Sequence, residues 1–381
     1  MMDFTLPESA QAVAALAAEI LTEPDPWKEL ASAGLLDVTS LGLLDTTVLL
    51  TEIGQRSPSL NALATLMTGA LPIARWGSNE QKQQLLPGVA GGELLLTAAL
   101  REPSNPQPTP PATTITAGKL AGTKVGVPYA EQASLMLVPF MIMGRSGQIA
   151  PNMTHDHGVA LLSPRAAGVE LTRTASSSGE PEYTLRMDRA PIQGVLGGAD
   201  CVRDLYQLAV AGACALADGA VAGALALTRD HVATRQQFGR PLAAFQAVSQ
   251  QIADVYIASR TLHLATVSAC WRLDAGPEIG PDAGREVGPD AGREVGPDAG
   301  REIGPDAGRE VGTAASADLA VAGYWCAEQA PRSVRICHHL HGGLGMDVTY
   351  PLPRFSSLVA DLVRFLGGAE YRLERQACSS T

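Results

Sequence analysis

Residues 205–227 read Leu-Tyr-Gln-Leu-Ala-Val-Ala-Gly-Ala-Cys-Ala-Leu-Ala-Asp-Gly-Ala-Val-Ala-Gly-Ala-Leu-Ala-Leu. A helix of this composition is apolar on nearly every side, so it cannot lie on a water-facing surface. Its length alone would suit a bilayer. Asp218 at its centre and the dominance of Ala and Gly favour burial among other helices of a soluble bundle. The neighbouring sequence supplies those helices. One runs from about 204 to 234 and a second from 245 to 274. The second places Phe245, Val248, Ile252, Val255, Ser259, Leu262, Thr266, Ala269 and Leu273 inward, in alternating steps of three and four. A third is expected from 314 to 341, and a fourth from 352 to 375, broken at Gly367-Gly368.

Ahead of this bundle the pattern changes twice. Residues 9–21, 27–36, 45–53, 60–67 and 78–86 read as helices. Pro24 and Pro26 stop the first, Ser78 with Gln81 forms a capping box for the last, and Pro87-Gly88 ends it. Residues 101–112 hold five prolines and read as loop. Strand-like runs follow at 94–100, 119–125, 134–142, 159–163, 169–173 and 183–187, suggesting a small antiparallel sandwich or barrel. The expected domains are an all-α unit over 1–94, a β unit over 95–198 and a four-helix bundle over 199–381.

Between the second and third bundle helices, Gly-Pro-Asp-Ala-Gly-Arg-Glu-Val repeats from Gly280, Gly288, Gly296 (closing on Ile303) and Gly304. Each unit has one Pro, two Gly and three charges, too little apolar surface for a core and too many breakers for a helix. Residues 276–312 are therefore expected to form a flexible interhelical loop.

The net charge of −11 argues against nucleic acid or an anionic membrane as a partner. Six scattered cysteines without a C-x-x-C pair suit reduced thiols, and Met1-Met2-Asp3-Phe4 lacks the basic region of a signal peptide, so a cytoplasmic location is expected. Neither His155-Asp156-His157 nor the Cys337-His338-His339 and His341 cluster has the spread of a metal site, and no metal is expected.

The densest chemistry lies at 235–250, where Gly239 and Pro241 break the helical pattern. Arg235 offers a planar fork suited to phosphate oxygens, Phe238 a flat face, and Gln246 and Gln250 share a helix face. By itself this could be a surface turn. The run Arg235-Gln-Gln-Phe-Gly-Arg-Pro with Phe245-Gln246, then His339-Leu-His-Gly-Gly-Leu-Gly345 about a hundred residues on, resembles the C-terminal segments of acyl-CoA dehydrogenases. Gly77-Ser-Asn-Glu-Gln-Lys82 with Leu86-Pro87-Gly88, and Gly118-Lys-Leu-Ala-Gly-Thr-Lys124, resemble the family's inter-domain junction and middle-domain turn. The resemblance implies a helical N-terminal domain, a middle β domain and a C-terminal four-helix bundle. It also implies FAD chemistry: a glutamate takes the α-proton of an acyl-CoA, the β-hydrogen passes to the flavin as hydride, and an electron-transfer flavoprotein takes the electrons.

The departures are as informative. The two places where the family carries its base correspond to Ala209 and Leu366, neither of which can accept a proton. The segments expected against the flavin ring read Glu102-Pro103-Ser-Asn-Pro-Gln and Gly126-Val127-Pro128, without the usual tryptophan. Proline also removes a backbone donor. Arg235, Phe238, Gln246, Gln250, His339, Gly342 and Gly343, by contrast, keep the pattern that reaches the adenosine-diphosphate end of a neighbouring chain's FAD, with His339 where a glutamine is usual. Leu340-His-Gly-Gly-Leu-Gly-Met-Asp-Val-Thr-Tyr-Pro351, Gly122-Thr-Lys-Val-Gly-Val-Pro-Tyr-Ala-Glu-Gln132 and a shortened N-terminal domain are similar to the shorter subunit of actinobacterial α2β2 acyl-CoA dehydrogenases of steroid side-chain breakdown. That resemblance implies a homologous catalytic partner, shared FAD, and the propanoate chain of a cholesterol-derived CoA thioester as substrate. Two alternatives stand beside it: a homomeric enzyme with a displaced base at Asp347 or Glu370, and a flavin-free scaffold.

Overall fold

The computed structural model describes residues 6–56, 61–142, 157–274 and 305–379. The chain opens with α1 (Glu8–Ile20), α2 (Pro26–Ser32), α3 (Val38–Arg56), a π-helical segment (Leu63–Ala70), α4 (Leu71–Trp76) and α5 (Asn79–Ala90). Pro26 does more than stop α1. It stands at the first position of α2, where its missing N–H costs nothing. The capping box forms at α5, with Ser78 and Gln81 exchanging hydrogen bonds. That helix does not end at Pro87-Gly88 but runs on to Ala90. Pro87 withholds one donor from the carbonyl of Gln83, an exposed residue that water can satisfy.

Eight strands follow: β1 (Leu96–Ala98), β2 (Thr114–Thr116), β3 (Lys119–Pro128), β4 (Leu135–Ile142), β5 (His157–Leu162), β6 (Val169–Thr174), β7 (Glu182–Pro191) and β8 (Gly194–Gly197). They form one sheet in the order β6-β7-β3-β2-β4-β5-β8, with β1 also beside β4. β1 and β2 run parallel to β4, so the sheet is mixed where an antiparallel pattern was expected. The chain between β1 and β4 is long enough for the crossover that parallel pairing requires. β2 and β8 were not legible as strands. His157 starts β5, while His155 and Asp156 lie outside the described residues.

The helical half comprises α6 (Ala199–Thr234), the two-residue strands β9 (Gln236–Gln237) and β10 (Arg240–Pro241), α7 (Gln246–Asp274), α8 (Pro305–His341), α9 (Leu352–Leu366) and α10 (Gly368–Ser379). α6 is the axis of the molecule, with 89% of its most apolar window buried inside the protein. A glycine on each helix lets α3 approach it very closely. A Cβ on Gly219 would sit 1.9 Å from the Thr51 carbonyl oxygen, and one on Gly54 would sit 2.3 Å from that of Leu216. Any larger residue at this crossing would force the helices apart. Asp218 is buried there and accepts a 2.8 Å hydrogen bond from His263 Nδ1 on α7.

Two expectations about the bundle need correction. α8 begins at Pro305, not 314, so the last octapeptide unit is helical from its proline onward. Proline suits a first helical turn, and a helix packed downstream extends into such a segment one residue at a time. The earlier units, at 280–303, lie outside the described residues. In α7, Val255, Ser259, Leu262, Thr266, Ala269 and Leu273 are buried as expected, but Phe245, Val248 and Ile252 are only half-buried. The first turns of α7 therefore project beyond the core.

Candidate functional site

Two regions correspond to the two halves of the expected flavin site, and they are built in opposite ways. The first is the cleft between the π-helical segment, the edge of β1 and β3, the start of β7, and α9. Its free volume is a cavity of about 20 Å³ lined by residues including Leu63, Arg101, Gly126, Pro128, Glu182 and Phe365. That space suits a single water.

The cleft is filled by an ion network. Arg364 of α9 donates to both oxygens of Glu182 on β7, at 2.5 and 2.7 Å, and to Asp361 at 2.9 Å. Asp361 also accepts the backbone N–H groups of Ser177 and Ser178 and the Ser178 hydroxyl, at 2.6–2.9 Å. The Glu182 hydrogen bonds raise the pKa of Arg364 above its ordinary value despite burial. Burial alone would raise the Asp361 carboxyl. The Ser178, Ser177 and Arg364 donors outweigh it and hold the group below its ordinary range. Arg101 lies against Gly126, where a Cβ would come within 2.7 Å of Nη1. Burial and the charge of Arg364 lower the pKa of Arg101, opposed by Glu182.

The proline-rich segment closes the other side. Glu102 is buried and accepts the Ala112 and Thr113 N–H groups, the Thr113 hydroxyl and Lys124 Nζ, all at 2.8–2.9 Å. Lys124 is wholly buried, and desolvation lowers its pKa to about 8 even with Glu102 opposing. Gln107 receives Arg372 through its side chain and Arg375 through its carbonyl. Tyr206 donates to the carbonyls of Leu100 and Pro108 at 3.3 and 3.2 Å. Pro106 packs so tightly on Gly367 that a Cβ there would lie 2.6 Å away. Ala209 and Leu366 are both fully buried. With Arg364, Glu182 and Asp361 bonded to one another across it, this cleft is narrow as it stands.

The second region is open. It forms where α6 and α8 end side by side. After α6, Gln237-Phe238-Gly239-Arg240 makes a tight hairpin turn with Phe238 at φ 53° and Gly239 at φ 77°. Glycine accepts such a backbone freely, while a bulky residue is strained there. The strained Phe238 side chain is 91% exposed. Phe245 supports it edge to face at 6.2 Å, and Arg240 lies 4.1 Å over the Phe245 ring. Arg235 is exposed and makes no ion pair among the described residues. Gln246, Gln250 and His339 are exposed as well.

Following α8, Gly342-Gly343 opens a 3-10 turn (Gly342–Met346) with Gly342 at φ 60° and nothing within 4 Å of a Cβ at either glycine. Met346 and Val348 beside it are 73% and 85% exposed. Exposed guanidinium and amide donors, an exposed ring and bare backbone have the chemistry to meet an anionic, aromatic ligand.

The sequence placed Arg235, Phe238, Gln246, Gln250, His339, Gly342 and Gly343 in one region, and the fold puts the Arg235 corner and the Gly342 turn at one end of the bundle, joined by contact between His231 and His341. It did not reveal Arg101, Glu182, Asp361 and Arg364, which meet only through tertiary contacts such as Arg364–Glu182, 182 positions apart. Asp347 and Glu370, the displaced-base candidates, are both exposed. Asp347 is tied to the Thr349 N–H and hydroxyl at 2.9 and 2.8 Å.

Comparison with known proteins shows the family. Residues 3–93 match the family "Acyl-CoA dehydrogenase, N-terminal domain", and residues 206–286 match "Acyl-CoA dehydrogenase, C-terminal domain". The chain is 40% identical over 388 residues to acyl-CoA dehydrogenase FadE28 of Mycobacterium tuberculosis, spanning 98% of this chain and 97% of that one. Among solved structures, a chain of the ChsE4-ChsE5 complex from Mycobacterium tuberculosis superposes with a TM-score of 0.79 at 26% identity, covering 98% of this chain and 97% of that one. The Tcur3481-Tcur3483 steroid ACAD gives a TM-score of 0.78 at 28% identity, with 98% of each chain covered. This chain belongs to the acyl-CoA dehydrogenase family of oxidoreductases.

Proposed function

We propose that this chain is the FAD-sharing, non-catalytic subunit of a heteromeric acyl-CoA dehydrogenase. One observation carries the reading: the chain exposes Arg235, Phe238 and Gly342-Gly343 while its own cleft is filled by the Arg364–Glu182–Asp361 network. When bound, FAD supplies the hydride acceptor for desaturation of an acyl-CoA. Arg235 would pair with pyrophosphate oxygens, Phe238 would cover an aromatic face, and Gly342-Gly343 would admit the tail against backbone. Gln246, Gln250 and His339 would add hydrogen bonds at the rim. With alanine at 209 and leucine at 366, the partner supplies the base. An α2β2 dimer of heterodimers gives each donating corner a receiving neighbour. The domain units 1–94, 95–198 and 199–381 serve this arrangement.

The two-protein complexes among the similar structures support a heteromer, and the steroid dehydrogenase among them supports a steroid CoA thioester as substrate, with the cholesterol-derived propanoate chain preferred. Electrons would leave to an electron-transfer flavoprotein in the cytoplasm. Co-expression with a glutamate-bearing homologue should give a yellow, active complex, and this chain alone should purify without flavin. Stoichiometric FAD and dehydrogenase activity in the single chain would overturn the proposal.

A further inference from the structure

The C-terminal ends of α6 and α8 meet through two imidazoles. The His231 and His341 rings stack with centroids 4.3 Å apart and planes 20° from parallel. Tyr350 packs on His341 with centroids 5.3 Å apart. His341 is only 5% exposed, and its Nδ1 donates to the Cys337 carbonyl at 2.9 Å, which fixes the ring's orientation. Beneath it, His338 Nε2 lies 2.9 Å from the Ser356 hydroxyl and ties α8 to α9. The turn after α8 is drawn down onto these rings: a Cβ on Gly345 would stand 3.0 Å from His341 Cβ and 3.3 Å from His338 Nδ1.

Each ring of the stack sits at the root of one half of the open region. His231 lies one helical turn before Arg235, whose N–H donates to the His231 carbonyl at 2.8 Å. His341 is followed directly by Gly342-Gly343. Neither ring is among the groups assigned to the ligand. Burial lowers the pKa of both, with the Arg235 charge adding at His231, which favours the uncharged rings that stack without repulsion.

We infer that the His231–His341 stack is the positioning element that fixes the spacing between the Arg235–Phe238 corner and the Gly342–Gly343 turn, so that both engage one FAD tail at once. The inference rests on the proposed tail-donating role. Two loops on two helix ends grip a ligand tightly only if their separation is set beforehand, because ordering them on binding costs affinity. A stacked ring pair between the helix ends sets that separation.

The test uses the complex of this chain with its catalytic homologue, stripped of flavin and titrated with FAD, following flavin absorbance and heteromer size. His231→Ala should weaken FAD binding about three- to tenfold, the range a lost ring stack supplies, with assembly and thermal midpoint unchanged. His231→Phe should restore wild-type affinity. His341→Ala should act like His231→Ala. If that buried substitution prevents folding, the half-buried position 231 still decides the matter. Wild-type affinity in His231→Ala, or a loss that His231→Phe does not rescue, overturns the stack as positioning element. Arg235→Ala separates the two ideas. If it leaves FAD binding intact, the tail-donating role itself fails. If it weakens binding and His231→Ala does not, only the stack is wrong.

Discussion

The cleft and the corner of this chain are made from similar side chains put to opposite uses. Arg364, in the cleft, spends its fork on Glu182 and Asp361. Arg235, in the corner, leaves its fork free of any ion pair among the described residues. The cleft aromatic, Phe365, lines a cavity of about 20 Å³, while the corner aromatic, Phe238, is 91% exposed on a strained backbone. Glycines divide the same way, with Gly126 and Gly367 pressed by neighbours and Gly342 and Gly343 bare. In the cleft, Arg364, Glu182 and Asp361 are paired with one another and only Arg101 Nε among these groups lacks a partner; exposed donors on a rigid frame, as in the corner, are available to a ligand. Substitutions in the cleft should therefore cost stability, and those in the corner should cost ligand binding.

The largest effect is expected at Lys124→Met. It leaves Glu102 buried without its cation, and breaking a buried pair on one side costs about 3–5 kcal/mol. Urea unfolding would measure this. A loss under about 1 kcal/mol would show that the cleft is not held by its ion pairs. Next is Arg235→Ala, expected to weaken FAD retention by the complex about tenfold or more, as befits one lost charge-assisted hydrogen bond. Thermal melts should show the chain itself unaffected. Flavin content equal to wild type would reduce the corner to a turn.

Acid should sharpen the contrast further. The Asp361 and Glu102 carboxyls both have folded pKa values below their ordinary ones. Their contribution is then fully present above the unfolded value, about 4, and is lost as pH falls through the folded values. Stability measured by urea titration should fall below about pH 4, and Asp361→Asn should flatten that slope. A wild-type slope in Asp361→Asn would assign the acid loss to other groups. The smallest effect is expected at the displaced-base candidates. Asp347→Asn and Glu370→Gln should leave the kcat of the complex unchanged, and a hundredfold fall in either would revive a homomeric mechanism.

Several elements were legible because local chemistry dictates them. The capping box at Ser78 and the alternating inward residues of α7 from Val255 onward follow from spacing, and the helix break at Gly367-Gly368 from glycine itself. β2 and β8, three and four residues long, were missed because so short a run carries little periodicity. The helical last octapeptide unit was missed because propensity is a weak prior against packing downstream. In the candidate site, the corner was visible as a contiguous motif, whereas the ion network and the imidazole stack were not, since each joins residues more than a hundred positions apart.

By itself, then, the sequence determined that an all-round apolar α6 must be ringed by helices, that positions 209 and 366 cannot take a proton, and that Arg235 ends a helix beside a turn. Only the tertiary structure decided that the cleft is closed and the corner open. Closure depends on whether Glu182 meets Arg364 or water, and residues 182 apart carry no local signal of their meeting. Openness depends on what fails to pack over Phe238, which only the complete set of neighbours reveals.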